Sequence, residues 1–139
     1  MSKLNSFFLG AFATILIAVS CKKDDNTTAA TPLIVGKWKM SAYRHNGMDV
    51  FGTGVGPCIT DNILTFTSTE LILDEGATKC SPSDPQTITG TYSLNVAKTQ
   101  LTTTVDNSTN VDDILTLDAS ILKLRQTSNA DTITYSRQP

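Results

Sequence analysis

The side chains that could carry chemistry in this sequence are few: cysteines at 21, 58 and 80, a single histidine at 45, and the adjacent acidic pairs Asp74-Glu75 and Asp112-Asp113. Acid–base catalysis by two carboxyls requires a set separation and pKa values driven apart, usually in a cleft. Neighbours on an extended chain point to opposite sides, so both pairs are expected to be solvated. His45 has no nucleophile with a base and an orienting acid around it, and neither H-E-x-x-H nor G-x-S-x-G occurs. It is expected to be a surface residue, and no enzymatic activity is expected. Cys58 and Cys80 form no C-x-x-C pair and have only His45 to help them, a poor donor set for a metal. No cofactor is expected. Gly52, Gly54 and Gly56 lack the third glycine of G-x-G-x-x-G, and the sequence suggests no helix behind them to receive a phosphate.

Cys21 reads differently because of its flanks. Lys3 supplies a small positive region, and Phe7 to Val19 form a thirteen-residue apolar run. That run is shorter than the roughly 20 residues a membrane-spanning helix needs, and it has the size of a signal-peptide apolar region. It ends at Ala18-Val19-Ser20-Cys21, which resembles the lipobox read by the lipoprotein signal peptidase, with alanine where leucine is more usual. The resemblance implies that Cys21 becomes the lipidated first residue of the mature protein. Paired acyl chains give stable attachment, at roughly 0.8 kcal/mol per buried CH₂. Lys22-Lys23-Asp24-Asp25 follows at once, then a polar Thr- and Ala-rich stretch to Pro32. A Lys-Asp-Asp run in this place resembles the export signal that sends some lipoproteins to the outer face of the outer membrane. The expected organisation is a signal peptide over 1–20, a lipidated cysteine and tether over 21–32, and one domain over 33–139, held at the outer membrane of the cell envelope.

Export to an oxidising compartment makes a disulfide the expected state of Cys58 and Cys80. Closing a loop of 22 residues contributes about 3 kcal/mol by the chain-entropy estimate. From Leu33 onward, eight Lys or Arg stand against eleven Asp or Glu, a net charge of −3. Nucleic-acid affinity comes largely from cations neutralising phosphates, so nucleic acid is excluded as a partner.

The elements that must position these residues are strands. Threonine is abundant after Pro32 and long helix-forming runs are missing; β-branched side chains suit a pleated, half-buried surface. Ile88, Gly90, Tyr92, Leu94 and Val96 alternate with polar neighbours, as in a strand with one buried face. The same rhythm appears in Gly36, Trp38, Met40 and Ala42, in Leu64 and Phe66, in Leu71 and Leu73, and in Leu101, Thr103 and Val105. Leu115 and Leu117, Leu122 and Leu124, and Ile133 and Tyr135 complete eight candidate strands. Turn-forming clusters separate them, among them 74–76, 81–85, 95–98, 106–110, 118–120 and 128–131. One connection is longer, 46–57, and its glycine-rich part over 50–56 is either a lid or a plain connection held by Cys58. An open sheet would leave edges that recruit other chains, so an all-β, up-and-down antiparallel barrel of eight strands is expected.

On these residues the sequence resembles a lipocalin-like domain of the small kind found in bacterial lipoproteins. Carrying the resemblance are Gly36-Lys37-Trp38, the glycine-rich first loop, Cys58 and Cys80 flanking two strands, Thr89-Gly90-Thr91-Tyr92, and the closing Tyr135-Ser136-Arg137. The T-D-Y segment of the larger lipocalins is absent, which sets the chain outside that main family. The resemblance implies a calycin-type barrel whose tryptophan, Trp38, sits at the closed end with Arg137 across it, and gives Gly36, Trp38 and Arg137 structural roles.

An eight-stranded barrel is filled by its own side chains or holds one small ligand. The inward set expected here is Met40, Ala42, Phe66, Leu73, Tyr92, Leu94, Leu101, Thr103, Leu115, Leu117, Leu122, Leu124 and Tyr135. Of these, Met40, Phe66, Leu73, Tyr92, Leu94, Leu101 and Tyr135 would line a ligand site. Two functions follow from the two interiors. A hollow barrel binds a small hydrophobic molecule; a filled one serves as a protein-interaction, inhibitor or envelope-structural module through its loops.

Overall fold

The structure, a computed structural model, describes residues 33–139; Cys21, the apolar run before it and the tether lie outside the described residues. Alternation along the chain is realised as nine strands. They are β1 (Gly36–His45), β2 (Met48–Asp49), β3 (Ile63–Phe66), β4 (Leu71–Asp74), β5 (Thr87–Leu94), β6 (Gln100–Val105), β7 (Ser108–Leu117), β8 (Ile121–Gln126) and β9 (Thr132–Gln138). Each strand from β3 to β9 pairs antiparallel with the next. β1 pairs with β3 on one side and β9 on the other, which closes an eight-stranded up-and-down barrel. The small β2 is a hairpin arm on the far end of β1.

The direction of the strands gives the barrel two unlike ends. At one end lie 33–35 and the short connections 67–70, 95–99 and 118–120. Trp38 is fully buried there and donates its indole N–H to the Ile34 carbonyl at 2.7 Å. Arg137 stands opposite Trp38 in the β1–β9 register, with its guanidinium carbon 4.3 Å from the ring centroid. The same guanidinium donates to the Ala119 and Val35 carbonyls, at 2.7 Å each, and to the Leu33 carbonyl. Gly36 has φ +142°, and a Cβ there would overlap the Arg137 guanidinium, so this position admits only glycine. Ile34, Trp38, Phe66, Leu71, Leu101, Leu122 and Leu124 form the packed core of this end. Tyr92 meets Phe66 edge to face at 4.9 Å and donates its hydroxyl to the Thr67 carbonyl at 2.6 Å.

Two β-bulges change the phase of the expected alternation. Along β1, Met40 pairs with Tyr135 but Ala42 pairs with Thr134, leaving Ser41 as the extra residue. Beyond it Tyr43, not Ala42, shares the inner face with Ile133. Along β7, Ile114 pairs with Leu124 and Thr116 with Lys123, so Leu115 is extra and is exposed. Ala42 and Leu115 are therefore corrected from the inward set, because a bulge sends every residue beyond it to the other face. Val96 lies past the end of β5 and is fully exposed.

The long first connection is more ordered than the sequence suggested. Asn46 and Gly47 have φ 51° and 80°, the positive pair that a two-residue hairpin turn requires. The Val50 carbonyl then accepts from the backbone N–H of Thr53, Gly54 and Val55 at 2.8–3.3 Å. A single helical turn, α1 (Pro57–Thr60), follows, where no helix was expected. Between β6 and β7 the turn is only Asp106-Asn107, both at positive φ, shorter than the expected 106–110.

Replacing Trp38 by alanine removes the indole, its hydrogen bond and the surface on which Arg137 lies. Trp38→Ala is expected to lose about 3–5 kcal/mol of unfolding free energy. Urea titration followed by circular dichroism measures it; a loss below about 1 kcal/mol would mean that this pair does not organise the closed end.

Candidate functional site

Beyond the packed end, the barrel interior is not filled. A half-open cavity of about 280 Å³ lies between β3, β4, β6, β7, β8 and β9. Its walls are mostly aliphatic: Leu64, Leu71, Leu73, Leu101, Val105, Leu124 and Ile133, with Phe66 toward the closed end. Four polar residues, Thr103, Asn110, Asp112 and Gln126, and the Tyr135 ring complete the lining. Strand pairing puts the polar residues side by side, since Asn110 faces Thr103 across β6–β7 and Asp112 faces Gln126 across β7–β8.

The adjacent acids at 112 and 113 point to opposite sides, as expected of neighbours on a strand, but only one is solvated. Asp113 faces outward, where Arg125 reaches it at 2.6 Å and Gln100 at 3.2 Å. These hydrogen bonds hold its carboxyl below the usual carboxylate range. Asp112 faces the cavity, and burial, with the Asp113 charge adding to it, pushes its carboxyl above that range. Burial also pushes the Tyr135 hydroxyl far above its ordinary value, with Asp112 and Tyr43 adding to the effect. It is a neutral phenol at any physiological pH.

Of the residues expected to line a site, Phe66, Leu73, Leu101 and Tyr135 do so. Met40, Tyr92 and Leu94 do not. Met40 is buried opposite Tyr135, Tyr92 is turned onto Phe66, and Leu94, opposite Leu101, packs against the closed-end core. All three stand on β1 or β5, the two barrel strands that contribute no residue to the cavity wall. The polar contributors at 110, 112 and 126 escape the sequence reading: Asn110 falls in the expected 106–110 turn, the Leu115 and Leu117 alternation puts the opposite face of β7 inward, and Gln126 lies beyond the Leu122 and Leu124 pair.

At the open end a second, shallower cleft of about 470 Å³ is lined by Tyr43, His45, Val50, Gly54, Val55 and Ile59. Beside it Asp131, buried under the loops, gathers three partners. Tyr43 donates its hydroxyl at 2.6 Å, Asn129 its amide at 3.0 Å, and His45 Nδ1 lies at 2.8 Å. The network fastens the end of β1 to the 127–131 loop. The Cys58–Cys80 disulfide joins α1 to the 75–86 loop on the same end, and the Asp61 carboxylate accepts from the backbone of Ala77 and Thr78 at 3.1 and 2.9 Å. His45 is exposed but not isolated, and its role here is to hold the rim. The barrel cavity, walled by six strands rather than by one strand end and the connection after it, is the stronger candidate for a binding site.

Residues 34–124 match the model of the lipocalin-like domain family. The chain belongs to this family. Among solved structures it is similar to a lipocalin-like protein from Bacteroides uniformis, with a TM-score of 0.56 and 12% identity over 76% of this chain and 99% of that chain. At that identity the likeness is one of fold. No protein of curated function matches the sequence.

In this lipocalin-like barrel the rim network has a pH signature. Hydrogen bonds from Tyr43 and then His45 hold the Asp131 carboxyl below its usual 3.8. Its contribution to stability is therefore intact above that pH and is lost as acid protonates it in the folded state. Asp131→Asn is expected to be less stable than the parent near neutral pH, with the difference shrinking below about pH 4. Urea titrations at both pH values measure it; a difference that stays constant would contradict the assignment. The other low-titrating carboxyls, Asp74, Asp113 and Asp118, are common to both proteins and cancel.

Proposed function

We propose that this protein is a membrane-anchored lipoprotein of the cell envelope that holds a small, largely hydrophobic ligand in its barrel. The cavity of about 280 Å³ carries this reading. Small-molecule sites run from about 300 to 1,000 Å³, and an apolar cavity of about 150 Å³ already takes up benzene. The space suits a ligand of roughly two fused rings. A barrel filled along its whole length, which would act only through its loops, is the less favoured reading because its interior would leave no such space. The architecture encloses ligands rather than exposing a nucleophile, and we read the protein as a binder with no catalytic role.

The anchoring half of the proposal rests on the N-terminal sequence. Cys21, preceded by Ala18-Val19-Ser20 and a thirteen-residue apolar run, is the residue for lipidation, and Lys22-Lys23-Asp24-Asp25 supports placement on the outer membrane, at its outer face.

Native mass spectrometry of the protein purified from its own host is expected to show extra mass that leaves on denaturation. Leu73→Trp, which fills the cavity mouth, is expected to abolish it, at a stability loss of about 1–3 kcal/mol. Retention of the same mass by Leu73→Trp would place the ligand elsewhere, and its absence from the parent protein would count against binding. Independently, Cys21→Ser is expected to move the protein from the membrane fraction to the soluble fraction; unchanged membrane association would refute the anchor.

A further inference from the structure

The inner face of β7 carries a polarity that packing does not account for. Over Asn110–Asp113 the one apolar residue, Val111, points outward and is exposed, while Asp112 points into the cavity. The extra residue at Leu115 sets this phase; an unbroken β7 would turn Val111 and Asp113 inward. Bulges are a common device for re-aiming a side chain beside a site. With Thr103 from β6, Asn110 and Asp112 from β7, Gln126 from β8 and Tyr135 from β9, four strands bring oxygen atoms to one side of an otherwise apolar space.

What that side lacks is a positive charge. No Lys, Arg or His lines the cavity. Among the described residues no side chain is hydrogen-bonded or ion-paired to Asp112. A carboxylate half withdrawn from water without a compensating donor is unfavourable, and the raised titration of Asp112 reflects that. An alkylammonium group carries both the missing charge and three N–H donors, and its hydrocarbon body matches the remaining walls.

We propose that the cavity selects small apolar amines. The ammonium sits on Asp112 with Asn110, Gln126 and Tyr135 as further acceptors, and the apolar body lies against Leu73 and Leu101. This rests on the reading that the barrel binds a ligand and narrows the chemical class of that ligand. The titratable group facing Asp112 is Tyr135 from β9, with Tyr43 of β1 beside it; Asp113, on the outer face of the same strand, acts only through its charge. The β6 and β8 neighbours Leu101, Thr103, Leu124 and Gln126 do not titrate. Amine affinity therefore falls as acid protonates Asp112.

Calorimetric titration of the purified full chain with naphthylmethylamine, naphthylmethanol and naphthoic acid tests this near neutral pH. The amine is expected to bind at least about tenfold tighter than the alcohol, with the acid weakest. In Asp112→Asn the amine is expected to lose that advantage while the alcohol keeps its affinity within about twofold. Should that variant not fold, the parent protein answers through pH: amine affinity drops on acidification and alcohol affinity does not. Equal binding of amine and alcohol by the parent, or an amine preference that survives in Asp112→Asn, overturns the proposal and leaves the barrel as a binding site for neutral molecules. Binding of none of the three overturns both.

Discussion

Closure of β1 onto β9 is the constraint from which the rest of the molecule follows. The eight barrel strands are short, from four to ten residues, and an open sheet of them would expose edges at both sides. Seven register pairs between the first and last long strands remove those edges. They also bring Trp38 and Arg137, nearly a hundred residues apart in sequence, face to face. Arg137 then does several things from one position. Its plane covers the indole, an attraction that strengthens as the pair is desolvated, and its N–H groups occupy three backbone carbonyls. Two of those carbonyls belong to the segment entering β1 and one to the β7–β8 turn, so a single guanidinium ties the entry strand, the last strand and a hairpin of the barrel together. Gly36 is required because the guanidinium occupies the space a side chain would need.

A barrel plugged at one end divides its interior into two regions with different physical duties. The region near Trp38 is packed and apolar, and there large side chains such as Phe66 and Tyr92 satisfy one another. The region near the rim is wider than its side chains can fill, and there the lining includes groups that a core would reject. Whether such a barrel is solid or hollow has no single answer here: it is solid below and hollow above. The two bulges fall near this boundary. One turns Tyr43 and the residues after it toward the rim network, and the other turns Asn110 and Asp112 into the cavity. A phase shift of one residue in each strand thus separates the packed half of the barrel from the half that encloses the cavity.

The number, order and closure of the barrel strands were legible in the sequence because alternation survives in short windows and because turn residues recur between them. The pairing of Cys58 with Cys80 follows from the expected oxidising compartment, and the structural roles of Gly36, Trp38 and Arg137 were implied by the family resemblance rather than by local pattern. Phase was not legible. At 110–115 the apolar residues Val111 and Leu115 argue for one face, and the polar residues Asn110 and Asp112 occupy the inside only because the backbone spends an extra residue between Ile114 and Thr116. Nothing in Ser41 or Leu115 marks either as a bulge. The hairpin at Asn46-Gly47 did carry a signal, since that dipeptide favours the positive φ pair, but the strand after it is too short to alternate. Where local pattern and fold disagree, the disagreement itself points to function, and on β7 it falls at the cavity.

One consequence concerns how the barrel would bear a pull from its N-terminal side. The described chain enters the barrel at 33–35, pinned by Arg137 to the plugged end, while the opening lies at the other pole. Tension arriving along the polypeptide from its N-terminal side would be borne by the Trp38 plug and shed into the β1–β9 seam. The doorway, braced separately by its own cystine, would feel none of it. If the proposed anchor holds the chain there, a leash on the base of a cup would leave its mouth clear.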